Sequence, residues 1–511
     1  MLVKTFGSAL QGIDSMLITI EVSVGRGTGF SLVGLPDNAV KESNQRVFSA
    51  IWNSGFRYPR NKVVISMTPA DIKKEGSAYD LPIAVGILAA SEQISAEHLN
   101  EYLIMGELSL DGSLNPIKGA LPIAINAKKA GFKKFILPAV NAPEAAIVEG
   151  VSVYGFNTLM EVTKMLNGQS SPEETTVDME KLFSQSSNSY PFDFEDVKGQ
   201  ENIKRALEIA AAGGHNAIMI GPPGSGKTML AKRLPSILPP MTLEEALETT
   251  KIHSVSGVLS GDTALITSRP FRSPHHTISD AGLIGGGTYP QPGEISLAQN
   301  GVLFLDELPE FKRSVLEVMR QPMEDRVVTI ARAKMSVEYP AAFMLIAAMN
   351  PCPCGYYNHP TKACVCSPGA VKKYLNRISG PLMDRIDLHV EVIPVLAEDL
   401  TELPKGEPSK KIRERVIRAR KIQQKRFKNT TVHSNSQMSR KEIEKYCDLS
   451  DSGRNLLKTA MERLSLSARA YDRILKVSRT IADLDKSENI QPNHLAEAIQ
   501  YRSLDRENWG N

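Results

Sequence analysis

At 511 residues the chain is too long for one hydrophobic core, and roughly three domains is the natural expectation. Hydrophobic content of 42% and charged content of 23% are those of a globular protein, and 60 basic against 57 acidic residues, net +3, exclude a globally basic nucleic-acid binder while leaving room for a local basic patch. Five cysteines do not make a disulfide scaffold, no apolar run approaches the ~18 residues of a membrane span, and the start lacks a signal-like pattern, so a cytoplasmic protein with no membrane partner is expected.

Met16 to Val24 alternates apolar and polar residues, the period of a β-strand. Residues 38–54 pattern as a helix, 62–67 as a strand, and 81–91 and 123–130 as apolar helices, so 1–165 reads as a mixed α/β domain. Two stretches here, Thr68 to Ala84 and Met105-Gly106-Glu107-Leu108-Ser109-Leu110-Asp111-Gly112, resemble the proteolytic domain of Lon. Lon-type chemistry needs a serine after a Gly-Pro pair and a lysine beyond the Gly-Glu strand, the lysine acting as the base that activates the serine. Ala78 stands at the serine position and Leu121 at the lysine position, with Ser77 and Lys118 close by but out of register. The resemblance therefore implies a Lon-protease-like α+β domain without proteolysis, used for oligomerisation or for gripping a substrate. Residues 166–190, rich in serine, glutamine and acids with no apolar period, read as a flexible linker.

The region 191–395 carries the most specific signal. Gly221-Pro222-Pro223-Gly224-Ser225-Gly226-Lys227-Thr228 follows the apolar run Ala217 to Ile220 and leads into a helical pattern, the strand–loop–helix context of a P-loop. Its glycines let successive backbone N–H groups face phosphate oxygens, Lys227 would reach the β- and γ-phosphates of ATP, and Thr228 would ligate Mg²⁺. Further on, Gly301-Val302-Leu303-Phe304-Leu305-Asp306-Glu307 is an apolar strand ending in two acids. Asp306 would hold Mg²⁺ and Glu307 would polarise the attacking water.

Two insertions flank that strand. One contains Arg269-Pro270-Phe271-Arg272-Ser273-Pro274-His275-His276-Thr277 and a glycine-rich stretch from Gly285; its two histidines could serve as metal ligands or bases, but without a third partner structural or pore-loop roles are preferred. The other, Arg326 to Tyr339, patterns as a hairpin with Arg332 and Lys334 at its tip, suited to phosphate contacts on DNA or to plain solvation. Cys352, Cys354, Cys364 and Cys366 form two close pairs that can close a structural Zn²⁺ site or remain reduced thiols, with His359 a possible substitute ligand; Cys447 stands apart as packing.

The last region, 396–511, reads as an α-helical lid domain opened by the basic helix 410–428, either a nucleic-acid face or a solvated one. The whole pattern, with Phe271-Arg272-Ser273-Pro274-His275-His276, Asn350-Pro351-Cys352-Pro353-Cys354-Gly355 and Ser379-Gly380-Pro381-Leu382-Met383-Asp384-Arg385-Ile386-Asp387, resembles the ComM/YifB family of magnesium-chelatase-like AAA+ ATPases over essentially its full length. That resemblance implies an α/β architecture of Lon-like domain, AAA+ P-loop core and helical lid. It makes Val197 and Gly199 adenine-side residues and Asn350 the sensor beside the γ-phosphate. Arg385 becomes the finger acting on a neighbouring subunit's ATP, with Arg377 as alternate, and Arg469 the lid arginine, with Arg473 as alternate. It further implies a homo-hexameric motor acting on single-stranded or branched DNA during recombination in natural transformation. The alternative is a chelatase-type remodeller of a protein or metal-insertion complex.

Overall fold

The computed structural model describes residues 1–186, 190–259, 263–287, 290–332, 335–357, 359, 361–394, 404–430, 432–464 and 466–502. The chain forms two compact units, Met1–Ser186 with Leu243–Thr267, and Ser187–Thr242 with Ser268–Asn511.

The first unit is built on a seven-stranded sheet. Its strands are β1 (Leu2–Gln11), β2 (Asp14–Gly25), β3 (Phe30–Val33), β4 (Lys62–Thr68), β5 (Tyr102–Ile104), β8 (Lys134–Pro138) and β9 (Ser152–Phe156), in the order β3-β4-β2-β1-β5-β8-β9. A small hairpin, β6 (Glu107–Leu108) with β7 (Leu114–Asn115), lies outside it. β1 and β2 pair antiparallel over their full lengths, so Ile18, Ile20 and Val22 alternate into the core as the period-two pattern requires. The helix Asp80–Ala90 is buried along every residue, which its unbroken apolar sequence demands. Asp80 is the exception in chemistry: its carboxylate is held by Arg46 through bonds of 2.7 and 3.0 Å.

This unit also claims a segment from the middle of the 191–395 region. The helix Leu243–Ser256 buries Ala246, Ile252 and Val255, and its Ser254 carbonyl accepts from the Gly119 N–H at 3.3 Å. The stretch after residue 166 is more anchored than its composition suggests. Thr175 N–H bonds the Val153 carbonyl at the sheet edge, and a helix spans Met179–Ser186 behind an Asp178 cap.

The second unit holds a five-stranded parallel sheet in the order β11-β14-β17-β10-β18. These are β10 (Ala217–Ile220), β11 (Phe271–Arg272), β14 (Val302–Leu305), β17 (Met344–Met349) and β18 (Leu388–Glu391); β10, β14 and β17 are buried at every residue, as central parallel strands are. Two hairpins depart from it, β12 (Gly285–Gly286) with β13 (Gln291–Pro292), and β15 (Val327–Arg332) with β16 (Met335–Pro340). The helices Ser409–Arg426, Arg440–Tyr446, Asp451–Leu464, Ala468–Leu484 and Pro492–Gln500 share a core with the helix Glu201–Gly213 beside the sheet.

The basic helix Ser409–Arg426 turns out to be an anchor. Arg415 pairs with Glu407 and Glu208, Arg426 with Asp483, and Arg420 donates to the Ala211 carbonyl. Lys410, Lys411, Arg418, Lys421 and Lys425 of the same helix stay exposed. No helix among the described residues is long and apolar enough to cross a membrane.

Candidate functional site

The site assembles at the C-terminal ends of the parallel strands, where an open α/β sheet binds its ligand. β10 runs into Gly221, whose backbone lies so near the Val392 carbonyl that a Cβ would stand 2.4 Å from it. Gly224 and Gly226 take φ of +78° and +89°, the left-handed region that turns the loop back on the helix Lys227–Arg233. Lys227 Nζ donates to the Gly221 and Pro222 carbonyls at 2.6 and 2.8 Å and to Asn350 Oδ1 at 3.3 Å. Burial pushes the Lys227 amine down to about 8, against the opposing charges of Asp306 and Glu307.

Thr228 and Asp306 meet at the mouth of the loop, the hydroxyl donating to Asp306 Oδ2 at 2.6 Å. A hydroxyl and a carboxylate so placed are hard oxygen donors of the kind Mg²⁺ takes beside phosphate, and the inward-facing loop suits a triphosphate. Glu307 follows at φ +54°, its carboxylate more than half exposed and facing His276 Nδ1 at 3.5 Å. The His276 ring lies tilted against His275 at 4.1 Å and meets Phe311 edge-on. The sequence left these histidines without a partner; the fold brings His276, 31 positions away, to the candidate water-activating acid.

Gln200 is a second contact the sequence reading passed over. Next to the adenine-side candidate Gly199, it donates to the carbonyls of Ser225 in the phosphate loop and Ile393 after β18, at 3.3 and 2.9 Å. Val197 in the same segment is buried. Gln200 stands next to Gly199 in the sequence, but nothing local to it names its partners.

The arginines separate by exposure. Arg385 is buried, donating to the Pro381 carbonyl at 2.6 Å and pairing with Glu324 at 2.7 Å. Arg377 is half exposed, paired with Glu310 at 3.0 Å. In the lid, Arg469 is exposed, 3.8 Å from Asp384, whereas Arg473 is committed to the buried Asp387 at 2.9 Å. Burial alone would raise the Asp387 carboxyl, yet Arg473 and His215 hold it well below the usual carboxylate range.

The two hairpins pack together. Tyr339 on β16 donates its hydroxyl to the Pro290 carbonyl at 2.7 Å, and the Arg332 guanidinium lies against Gly286. Arg272 on β11 grips Glu294, just past β13, through two 2.6 Å bonds. Arg332 is exposed at the end of β15; Lys334 lies outside the described residues.

The four cysteines converge. Their sulfurs all lie within 4.8 Å of one another, with pairs at 3.4, 3.5 and 3.7 Å. A tetrahedral ion with bonds of ~2.3 Å sets its sulfurs about 3.8 Å apart, so the donor set fits Zn²⁺. His359 is outside the cluster, its Nδ1 accepting from the Thr361 and Lys362 amides.

In the Lon-like region Ala78 has no nucleophile and Leu121 no amine. The Ser77 hydroxyl donates to Glu107, and the Lys118 side chain lies against Gly257.

Comparison with known proteins agrees with this geometry. Residues 193–400 match the family described as magnesium chelatase, subunit ChlI; residues 20–141 match subunit ChlI of Mg-chelatase, and residues 406–502 its C-terminal part. Competence protein ComM of Haemophilus influenzae is 45% identical over 506 residues, 98% of this chain and 97% of its own. The uncharacterized protein YifB of Escherichia coli is 44% identical over 505 residues, 98% and 96% of the two chains. Lon protease 2 of Bacillus subtilis is 34% identical over 162 residues, 29% of this chain and 28% of its own. With a parallel sheet bearing a P-loop, a Lon-like first unit and a helical C-terminal region, the chain belongs to the ComM/YifB family of AAA+ ATPases with magnesium-chelatase-type domains.

Proposed function

We propose that this AAA+ ATPase is a ring-forming motor, most simply a homo-hexamer, that drives single-stranded or branched DNA through a central pore. The observation that carries the reading is the pair of interlocked hairpins beside the ATPase sheet, one ending in exposed Arg332. Phosphate contacts need charge and reach but no base reading, which suits a translocating surface.

In this reading the phosphate loop and Lys227 hold the triphosphate of ATP, Thr228 and Asp306 hold Mg²⁺, and Val197 and Gly199 border the adenine. When bound, Mg²⁺ neutralises charge on the phosphate oxygens. Glu307 withdraws a proton from the water aligned by Asn350, and His276 holds that carboxylate at the strand end. An arginine from a neighbouring subunit completes the site. Arg377 supports that role by its exposure, while Arg385 must first leave Glu324 and Pro381. Arg469 reaches the γ-phosphate side from the lid. The four cysteines hold structural zinc.

ATP turnover and strand displacement on forked DNA, with protein-free and DNA-free controls, test the motor. Stimulation of turnover by single-stranded or forked DNA with displacement of the annealed strand is expected. Turnover indifferent to DNA but raised by a dedicated protein partner would replace the motor by a chelatase-type remodeller, the reading that the ChlI matches favour.

A further inference from the structure

The loop closed by the four cysteines begins two residues beyond Asn350 and lies directly on the phosphate loop. At Gly355, φ is +84° and an added Cβ would fall 2.5 Å from Cδ and 2.8 Å from Cγ of Pro223. The backbone of the cysteine loop therefore rests on the proline ring at the crest of the phosphate loop, at a distance no other residue type permits. The same turn is closed by the Gly355 amide donating to the Cys352 carbonyl at 3.0 Å, and Cys352 itself is fully buried. On its other flank, Asn350 accepts from Lys227 at 3.3 Å. The short run Asn350 to Gly355 thus touches the phosphate loop at both ends.

Beyond Gly355 the described residues of this loop are half-buried or exposed, with local contacts such as the His359 amide on the Tyr356 carbonyl at 3.1 Å. Its described residues from Pro351 to Ser367 form neither helix nor strand, and Val365 between the last two cysteines is 86% exposed. Among its described residues only Pro351, Cys352 and Gly355 are buried, so the remainder of the segment is best held in one conformation by a cross-link. The four converging sulfurs are the cross-link at hand.

We propose that zinc on Cys352, Cys354, Cys364 and Cys366 buttresses the phosphate loop through Gly355 and Pro223, so that nucleotide affinity depends on the metal. The proposal rests on reading the cysteines as a zinc site. Zinc fixes the turn, the turn fixes Pro223 and Asn350, and the phosphate loop is held in the form that receives a polyanion. Without zinc the turn is released and the loop must be ordered by the nucleotide itself, which weakens binding.

The test uses the full-length protein. Zinc content is measured by mass spectrometry of the purified chain. Binding of a fluorescent ATP analogue is then followed by anisotropy before and after a zinc-selective chelator, with Mg²⁺ in excess, and again after zinc is restored. One zinc per chain, a Kd at least tenfold weaker on its removal, and recovery on its return are expected. A chain that purifies and reconstitutes without zinc overturns the metal site itself. A chain that binds and loses zinc with Kd unchanged overturns the buttress and leaves the metal site standing. Gly355→Ala keeps all four thiolates, so it should retain zinc yet bind the analogue at least tenfold more weakly. Zinc and affinity both intact in a folded Gly355→Ala chain would also overturn the buttress.

Discussion

Glu307 shows how a single residue carries both strain and chemistry. A non-glycine residue at φ +54° costs about 1 kcal/mol or more, and such strain collects where a side chain must be aimed. Here it turns the carboxylate out of the strand end toward His276. Glu307→Gln keeps the shape and removes the base, so ATP should still bind while hydrolysis falls by roughly 10²–10⁴-fold; unchanged turnover in a single-cycle assay would remove Glu307 from the mechanism. Asp80 is a second residue-scale case. Burial lifts its carboxyl to about 6 although Arg46 opposes the shift. A carboxyl raised by folding binds its proton more tightly in the folded state. Its contribution therefore favours folding at low pH and is lost as pH climbs from ~4 through about 6. Asp80→Asn does not titrate, so between pH ~4 and ~7 the stability difference should shift in the variant's favour by on the order of 3 kcal/mol. Denaturant melts showing a pH-independent difference would contradict this.

At the scale of elements, the hairpins are the informative pair. β12–β13 is too short to stand alone, since two-stranded ribbons are marginal in water; it is stapled by Tyr339 to Pro290 and by Arg272 to Glu294. Tyr339→Phe leaves the ring and removes the staple, a loss of about 1 kcal/mol. It should lower DNA-stimulated turnover more than basal turnover. Arg332→Ala should weaken DNA binding at every sequence and flatten the salt dependence by about one phosphate contact; an unchanged slope in a salt titration would take Arg332 off the DNA. The basic helix Ser409–Arg426 differs in part, because its Arg415 and Arg426 already serve Glu208, Glu407 and Asp483. High local charge marked the helix; the fold uses Arg415 and Arg426 for internal pairs and leaves Lys410, Lys411, Arg418, Lys421 and Lys425 exposed.

For the whole molecule, the segment Leu243–Thr267 decides what can be cut away. Its apolar residues are buried within the unit that also contains Met1–Ser186, although its sequence neighbours belong to the ATPase sheet. A chain truncated to begin at residue 190 would expose Ala246, Ile252 and Val255. It should aggregate or melt at lower temperature than the intact protein, and a truncated chain equally soluble and stable would show that the segment does not need its partner. Trans action belongs to this scale too. Mixing Glu307→Gln chains with Arg377→Ala chains, and separately with Arg385→Ala chains, should restore turnover only for the arginine that serves a neighbour, since only mixed interfaces then contain one intact site. Failure of both mixtures would argue that neither arginine acts between chains.

The sequence by itself determined the local chemistry. The phosphate loop, the Asp306-Glu307 strand end, the Asn350 strand end, the four cysteines and most helices were legible because each is encoded by residues close together, with short-range glycine geometry or apolar period as the signal. The Lon-like region was legible in the same way, down to the missing serine and lysine. Tertiary structure alone decided which distant residues meet. It brought His276 to Glu307, Gln200 to Ser225, Gly355 to Pro223 and the helix Leu243–Ser256 to the first unit. It also decided which charges are used internally, burying Arg385, committing Arg473 to the buried Asp387 and leaving Arg377 and Arg469 exposed. Burial and pairing depend on how strands are ordered in a sheet and what crosses their ends, and that ordering is a property of long-range packing which no local pattern carries.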